Sequence, residues 1–501
     1  MNKRFLKSPT MISMRAVSAW SLKKVGVPSK RCRQNLTADG RSYRIRHTMK
    51  NTLIEVRQLF RLAFPLMGAQ LAQMGMGVAD AIMAGNYSSV DLAGVALGTS
   101  ILWPVMLLFM GLVQAVTPTV SQLNGARDYL EIGEVIRQGL WLALIGGILG
   151  SFILNNIGGV YEWLNVDAAA AAISIPYLAM CSMGLPALMC FFALRFLADG
   201  MGFTRPALLI SVSALALKIP LNYILIHGKL GLPELGGVGC GVAQAIIMWF
   251  QLFLVVFVVT GRRFHKTHWL RRITPPDWLR IKRLLVIGLP IGATIFAEIG
   301  LFSFTTLLLG QFGSEVVAAH NISMNINGIF FMPPMALGMA ATIRIGFRVG
   351  EGDALHARST ALIAMCSTIL VALFGALFIF LLRKELVLLY TPEHNLVNLA
   401  SQLLLFVVFF LLLDASQSTA AGALRGYKDT RVPMVIALFS FWVIGLPIEC
   451  ALGFGWLGEP MGIYGFWIGL SCGVATASLL LTLRLWVVSG NAKIIHRLSL
   501  R

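Results

Sequence analysis

Between residues 59 and 488 the chain is written as long apolar runs separated by short polar breaks. A helix that crosses a bilayer needs about 20 mostly apolar residues. Twelve stretches satisfy that length, at 59–84, 92–120, 135–157, 168–197, 206–226, 236–259, 284–309, 316–345, 360–382, 396–424, 433–454 and 462–488. In lipid each backbone polar group has to be satisfied within its own segment, so the pattern predicts an all-α protein with twelve transmembrane helices.

Composition agrees with that pattern. Hydrophobic residues make up 57% of the chain, charged residues 13%, and the mean hydropathy is +0.77. Too little polar surface remains to cover a water-soluble core, so the chain reads as an integral membrane protein. The seven cysteines form no CxxC pair and mostly fall inside spans, which points to small apolar packing and to no disulfide or metal framework.

Charge is distributed unevenly. Residues 1–50 carry 13 Lys and Arg against the single acid Asp39, or +12 of the formal +19. This segment lacks the 7–15 residue apolar core of a secretory signal. A transit peptide and a lipid-contacting tail are compatible with its composition, but it reads foremost as a disordered extension, with Met49 as an alternative start. Elsewhere, loops after even-numbered spans hold eighteen Lys and Arg, eight of them in "GRRFHKTHWLRRITPPDWLRIKR". Loops after odd-numbered spans hold Lys229, Arg383 and Lys384. Cytoplasmic loops collect basic residues, so both termini and the 260–283 loop are expected in the cytoplasm.

That loop follows the sixth span, and the sequence repeats across it. At an offset of 225, Pro65, Gly75, Gly85, Gly125 and Asp128 fall on Pro290, Gly300, Gly310, Gly350 and Asp353. Farther on, Pro206 and Pro220 match Pro433 and Pro447 at an offset of 227. Six spans separate the copies, so they share an orientation and are related by an axis along the membrane normal, as in many secondary transporters. The expected organisation is a basic extension at 1–50, an N-terminal lobe at 51–260, a basic cytoplasmic linker at 261–283, a C-terminal lobe at 284–490 and a cytoplasmic tail at 491–501.

Ionisable residues inside spans are costly and usually face a cavity or an ion path. Those singled out here are Asp80, Lys218, Glu298, His320, Asp414 and Glu449. Carboxylates at such depth bind a cation through oxygen, accept a proton, or serve as packing glue through hydrogen bonds to a neighbouring helix.

The motifs "FPLMGAQLAQMGMGVADAIMAGNYSSVDLAGVALG", "GLPELGGVGCGVAQA", "GLPIGATIFAEIGLFSFTTLLLGQFG", "VAAHNISMNINGIFFMPPMALGMA" and "LLLDASQSTAAGALRGYKDTRVPM" together resemble the multidrug and toxic compound extrusion family, in its NorM-like bacterial branch. The likeness runs from Met49 to the C-terminus. It implies two homologous six-helix bundles in a V-shaped, MATE-type transporter that opens alternately to the two sides. It further implies a monomer of the bacterial inner membrane, exporting small organic cationic drugs and toxins in exchange for Na+ or H+. By the same resemblance Asp80 is the N-lobe carboxylate, while Glu298 and Asp414 are the C-lobe pair for cation coupling, holding Na+ if sodium is the ion. All three carboxylates are candidates for the drug as well. The sequence departs from some relatives at Phe410, where they carry a tyrosine one turn before the span-10 aspartate, and the resemblance assigns no role to Lys218.

Two other classes compete with this reading. A flippase for a lipid-linked precursor would line its cavity with several Arg or Lys to hold pyrophosphate, and Lys218 is the one basic residue among those intramembrane positions. A non-transporting membrane scaffold has little need of three buried carboxylates and a duplicated six-span unit. No GxxxxGK[ST] loop occurs, so neither ATP hydrolysis nor any cofactor beyond the coupling ion is expected. The chain is not read as an enzyme, and no nucleic-acid partner is expected.

Overall fold

The computed structural model describes residues 36–157, 159, 161, 167–271, 274–456 and 458–499, with side chains from Thr52 onward. Two compact units divide the chain, Met1–Ile54 and Glu55–Arg501, and the contacts given below lie within the second. Among the described residues the regular structure is helical. The first group comprises α1 (Leu36–Tyr87), α2 (Ser89–Val113), α3 (Val116–Gly125), α4 (Tyr129–Asn155), α5 (Ala168–Gly200), α6 (Arg205–Ile226) and α7 (Gly237–Val259). The second comprises α8 (Trp278–Leu309), α9 (Ser314–Gly350), α10 (Ala354–Leu388), α11 (His394–Gly426), α12 (Arg431–Leu438), α13 (Leu446–Gly453), α14 (Ile463–Ser489) and the short α15 (Ala492–Ser499).

Eleven helical stretches among the described residues are long and apolar enough to cross a membrane. α1, the expected first span, is not among them, because Gln70, Gln73 and Asp80 dilute its apolar run. Of the expected disordered extension, residues 1–35 lie outside the described residues, whereas 36–50 are helical. No proline occurs there, and after Gly40 no glycine, so the chain meets no helix breaker before Pro65. Cys32 is likewise outside the described residues; Cys181 and Cys240 are free and buried, and Cys366 is free and exposed.

The repeat is written in the backbone as well as the sequence. Asp128 and Asp353 cap α4 and α10, each accepting from the amide three residues on, Glu131 and His356. Such a cap satisfies a helix-end donor that would otherwise lack a partner. The residues just before them, Arg127 and Gly352, both have positive φ, 60° and 78°. Gly236 and Gly462, ahead of α7 and α14, adopt φ 54°, ψ −136° and φ 57°, ψ −136°, a conformation that in practice requires glycine. The copies diverge at their fifth spans. α6 runs unbroken through Pro220, but its counterpart splits into α12 and α13 around a π-helical segment, Phe439–Gly445.

The halves meet along two matched pairs of elements. Gly111 of α2 packs on the backbone of Gly292 in α8, and Gly288 packs on the carbonyl of Leu112. Beyond them α3 meets α9 reciprocally. A methyl group on Gly125 would overlap the carbonyl oxygen of Phe347, and one on Gly350 would overlap the carbonyl oxygen of Gln122. Residues 122 and 125 correspond to 347 and 350 at the same offset of 225, so each copy makes the same contact with the other. Gly346 faces Ser121 in the same seam, and Gln122 Nε2 donates to the Gly426 carbonyl at 2.9 Å. Ser121→Cys and Gly346→Cys, introduced together in a background without other cysteines, are therefore expected to form a disulfide under mild oxidation. Adding Gly125→Leu should lower the yield by prising the seam apart, which mobility on a non-reducing gel will report.

The basic loop joining the halves is tied to α4. Trp141 Nε1 donates to the Thr274 carbonyl at 3.0 Å, and Gln138 donates to the Pro275 carbonyl at 3.1 Å. Gln138 Oε1 also accepts from the Asp277 amide at 2.8 Å. Within the same body Glu55 joins α1 to α9 and α10. Its carboxylate accepts from Arg344 at 2.9 Å, from Arg348 at 3.2 Å and from the Thr360 hydroxyl at 2.8 Å.

Candidate functional site

The three carboxylates expected to carry function fall into two separate environments. Asp80 lies on α1 and is 3% exposed. Facing it from α6 are Lys218 and Asn222, which are four residues apart and so share one face of that helix. Lys218 Nζ donates to Asp80 Oδ2 at 2.7 Å, and Asn222 Nδ2 donates to Asp80 Oδ1 at 2.8 Å. Lys218 also donates to Gln244 Oε1 of α7. The ammonium group is buried, with its side chain 1% exposed, and its charge is answered by Asp80. An ion pair taken out of water survives only with good geometry and further hydrogen bonds, and this one has both.

The second environment is built differently. Glu298 lies on α8, eight residues after the helix-internal Pro290, while Asp414 and Gln417 lie three apart on α11. Gln417 Nε2 donates to Glu298 Oε1 at 3.3 Å. Asp414 is 3% exposed, and its Oδ1 finds no hydrogen-bond partner among the described residues, nor does Gln417 Oε1. Glu298 is close enough for its charge to act on Asp414, and Arg425, farther along α11, acts on Glu298. A buried polar atom without a partner is costly, and here two such oxygens lie near a second carboxylate, an arrangement chemically able to take a cation or a proton. Among the described residues no group of three or more His, Cys, Asp and Glu comes together, so a Na+ here would rely on the two carboxylates and the amide oxygen of Gln417.

Phe410 sits one turn before Asp414, fully buried, with its ring 6.1 Å from Phe302 and 6.1 Å from Trp467. The departure noted at this position thus keeps the aromatic ring and removes only the hydroxyl. Trp467 in turn contacts the ring of His320 at 5.6 Å, and His320 Nε2 pairs with the Thr306 hydroxyl at 3.2 Å. Glu449 is apart from the other acids. It is fully buried, and its Oε2 accepts from Thr305 at 2.6 Å.

The sequence therefore named the carboxylates but missed their partners. Asn222 lies one turn from Lys218, and Gln417 lies on the Asp414 face, so helical spacing alone could have proposed both. Gln244 and Trp467 arrive from other helices and left no local signal.

The MatE family profile matches the chain twice, over residues 65–224 and 290–450. The chain belongs to the MatE family. The two matched stretches carry the two carboxylate environments, with Asp80, Lys218 and Asn222 in the first and Glu298, Asp414 and Gln417 in the second. Among relatives of this MatE chain, multidrug resistance protein MdtK of Yersinia pseudotuberculosis serotype O:1b (strain IP 31758) is 40% identical over 440 residues, covering 87% of this chain and 96% of the relative. Multidrug resistance protein NorM of Vibrio vulnificus (strain YJ016) is 39% identical over 443 residues, covering 88% and 97%. In three dimensions the chain is similar to the eukaryotic MATE transporter AtDTX14, with a TM-score of 0.82 at 22% identity, covering 89% of this chain and 98% of that one. It is accordingly a multi-pass membrane transporter of the MatE family, with eleven to twelve candidate membrane helices in two homologous bundles.

Proposed function

We propose that this chain exports organic cations, drugs and toxins among them, across the bacterial inner membrane in exchange for Na+ or H+, with Glu298 and Asp414 as the site where the ion is exchanged. The observation that carries the reading is Asp414, 3% exposed with an unpartnered oxygen, beside a second carboxylate. Two carboxylates close together in a poorly hydrated site cannot both stay ionised without compensation. A captured Na+ or proton supplies it, and so does a cationic drug. Competition for the same negative charge couples arrival of one to release of the other. The apolar remainder of a lipophilic cation needs aromatic walls, and Phe410, one turn from Asp414, and Phe302, one turn from Glu298, have their rings 6.1 Å apart. The names of the two bacterial relatives, both multidrug resistance proteins, support the same substrate class.

The proposed arrangement is a monomer with an N-terminal lobe at 51–260 and a C-terminal lobe at 284–490, both termini in the cytoplasm, and no resident cofactor. Supporting the orientation, Arg61, Arg205, Arg263 and Arg344 gather around a cavity of about 300 Å³ beside the glycine seam, as expected of the end facing anionic cytoplasmic lipid. The test is efflux of ethidium from proteoliposomes, under an imposed Na+ gradient and separately under a pH gradient. Efflux driven by one gradient is the expected result and identifies the ion. No efflux under either gradient would sink the reading.

A further inference from the structure

We propose that Lys218 is a tethered cation: its ammonium group permanently fills the Asp80 site, so that ion exchange is confined to Glu298 and Asp414 in the other half. The proposal deepens the transport reading above and rests on it for what the second site does.

Its basis is the contrast between two buried carboxylate sites in one duplicated architecture. Around Asp80 every negative oxygen is engaged, Oδ2 by Lys218 at 2.7 Å and Oδ1 by Asn222 at 2.8 Å. Lys218 reaches Gln244 Oε1 as well, and its side chain is 1% exposed. The ammonium group thus sits among the carboxylate and an amide oxygen, a donor set that suits a monovalent metal cation. Asn222 Oδ1, buried and unpartnered, is a further oxygen in the same place. Around Asp414 no internal cation takes the equivalent part: Oδ1 is unpartnered, and Arg425 forms no ion pair with Glu298 within 4 Å. One half therefore holds a cation of its own chain in contact with its carboxylate, whereas in the other Arg425 acts on Glu298 only from beyond ion-pair distance and Asp414 keeps an unpartnered oxygen. A covalently attached ammonium group cannot leave, so the first site contributes no net ion to a transport cycle, while its charge balance keeps α1, α6 and α7 together.

The consequence is a latent site. Shortening Lys218 to Asn removes the ammonium group and leaves Asp80, Asn222 and Gln244 around a space that free Na+ can enter. The experiment measures thermal unfolding of purified full-length protein in detergent, in NaCl and in choline chloride at equal ionic strength. The background carries Glu298→Gln and Asp414→Asn, so that the second site is silent. In that background the parent should show no Na+-dependent rise in melting temperature. Adding Lys218→Asn should create one that grows with the logarithm of Na+ concentration, as expected for a ligand bound by the folded state alone. Adding Asp80→Asn to that variant should abolish it.

Lys218→Gln serves as a second version should the Asn variant be poorly folded. The proposal is overturned if neither variant gains a Na+-dependent shift. It is also overturned if neither folds in either salt, since a free cation then cannot replace the ammonium group. It is equally overturned if the parent keeps a Na+ shift that Asp80→Asn removes, because Asp80 would then bind Na+ despite the lysine. None of these outcomes depends on whether the second site takes Na+ or protons. Failure of the transport reading would be seen in efflux, not here.

Discussion

Glu298→Gln and Asp414→Asn are each expected to slow ion-driven ethidium efflux by about tenfold or more, and the double variant to be little worse than the poorer single one. On the transport reading proposed above, both carboxylates face one captured charge. Asp414 has an oxygen without a partner, Glu298 takes only a 3.3 Å bond from Gln417, and the charge of Glu298 acts on Asp414. Neutralising either removes the site, so the second substitution has nothing left to remove. Independent sites would multiply their defects instead. If both single variants kept wild-type efflux under the driving gradient, the coupling role assigned to this pair would be wrong. If the double variant were slower by the product of the single defects, the pair would not be a unit.

The second large effect is on stability. Glu55→Gln should lower the unfolding free energy by about 3 kcal/mol, because it leaves the guanidinium group of Arg344 without its countercharge and Arg348 with Glu351 alone. Glu55 is 6% exposed, and four hydrogen bonds from Arg344 and Arg348 and one from Thr360 converge on it. Burial alone would raise its carboxyl, but the hydrogen bonds and charges of the arginines and Thr360 outweigh it and hold the group below its ordinary range. A folded-state value below the unfolded one means stabilisation that is complete above the unfolded value, about pH 4.3, and lost as pH falls through the depressed native value. Melting of the wild type in detergent should therefore drop more steeply below pH 4 than melting of Glu55→Gln. Parallel curves for the two proteins would show that the cluster contributes no charge-dependent stability.

Much of the architecture was legible in the chain. Apolar runs of bilayer length located the spans, since lipid leaves a helix few alternatives, and the positions that repeat at 225 turned out to be functional parts of the backbone. Gly125 and Gly350 are where helices touch, and Asp128 and Asp353 are caps. Such residues repeat because a turn or a close approach tolerates few substitutes. The fifth span of the second half was less readable. Nothing in "SFWVIGLP" announces a π-helical segment, and its contact with α14, where Gly445 meets Gly473, leaves no local mark in the sequence. The start of α1 was misread for the opposite reason, its basic composition suggesting disorder where no breaker residue enforces it. Lys218 was unassignable in sequence because its partner lies 138 residues away. A lone lysine in an apolar run carries no mark of which carboxylate it will meet.

The seam made by Gly125 and Gly350 is assembled from backbone carbonyls and the absence of side chains. At those two contacts the atoms that touch are backbone, and none of them can gain or lose a proton. Their hold on the two halves is thus indifferent to acidity, and being duplicated it is lost or kept on both sides of the pseudo-axis at once. If the molecule opens at that end, as the transport reading requires, the signal has to come from groups outside these two contacts, which then act as a fixed threshold against which it is weighed.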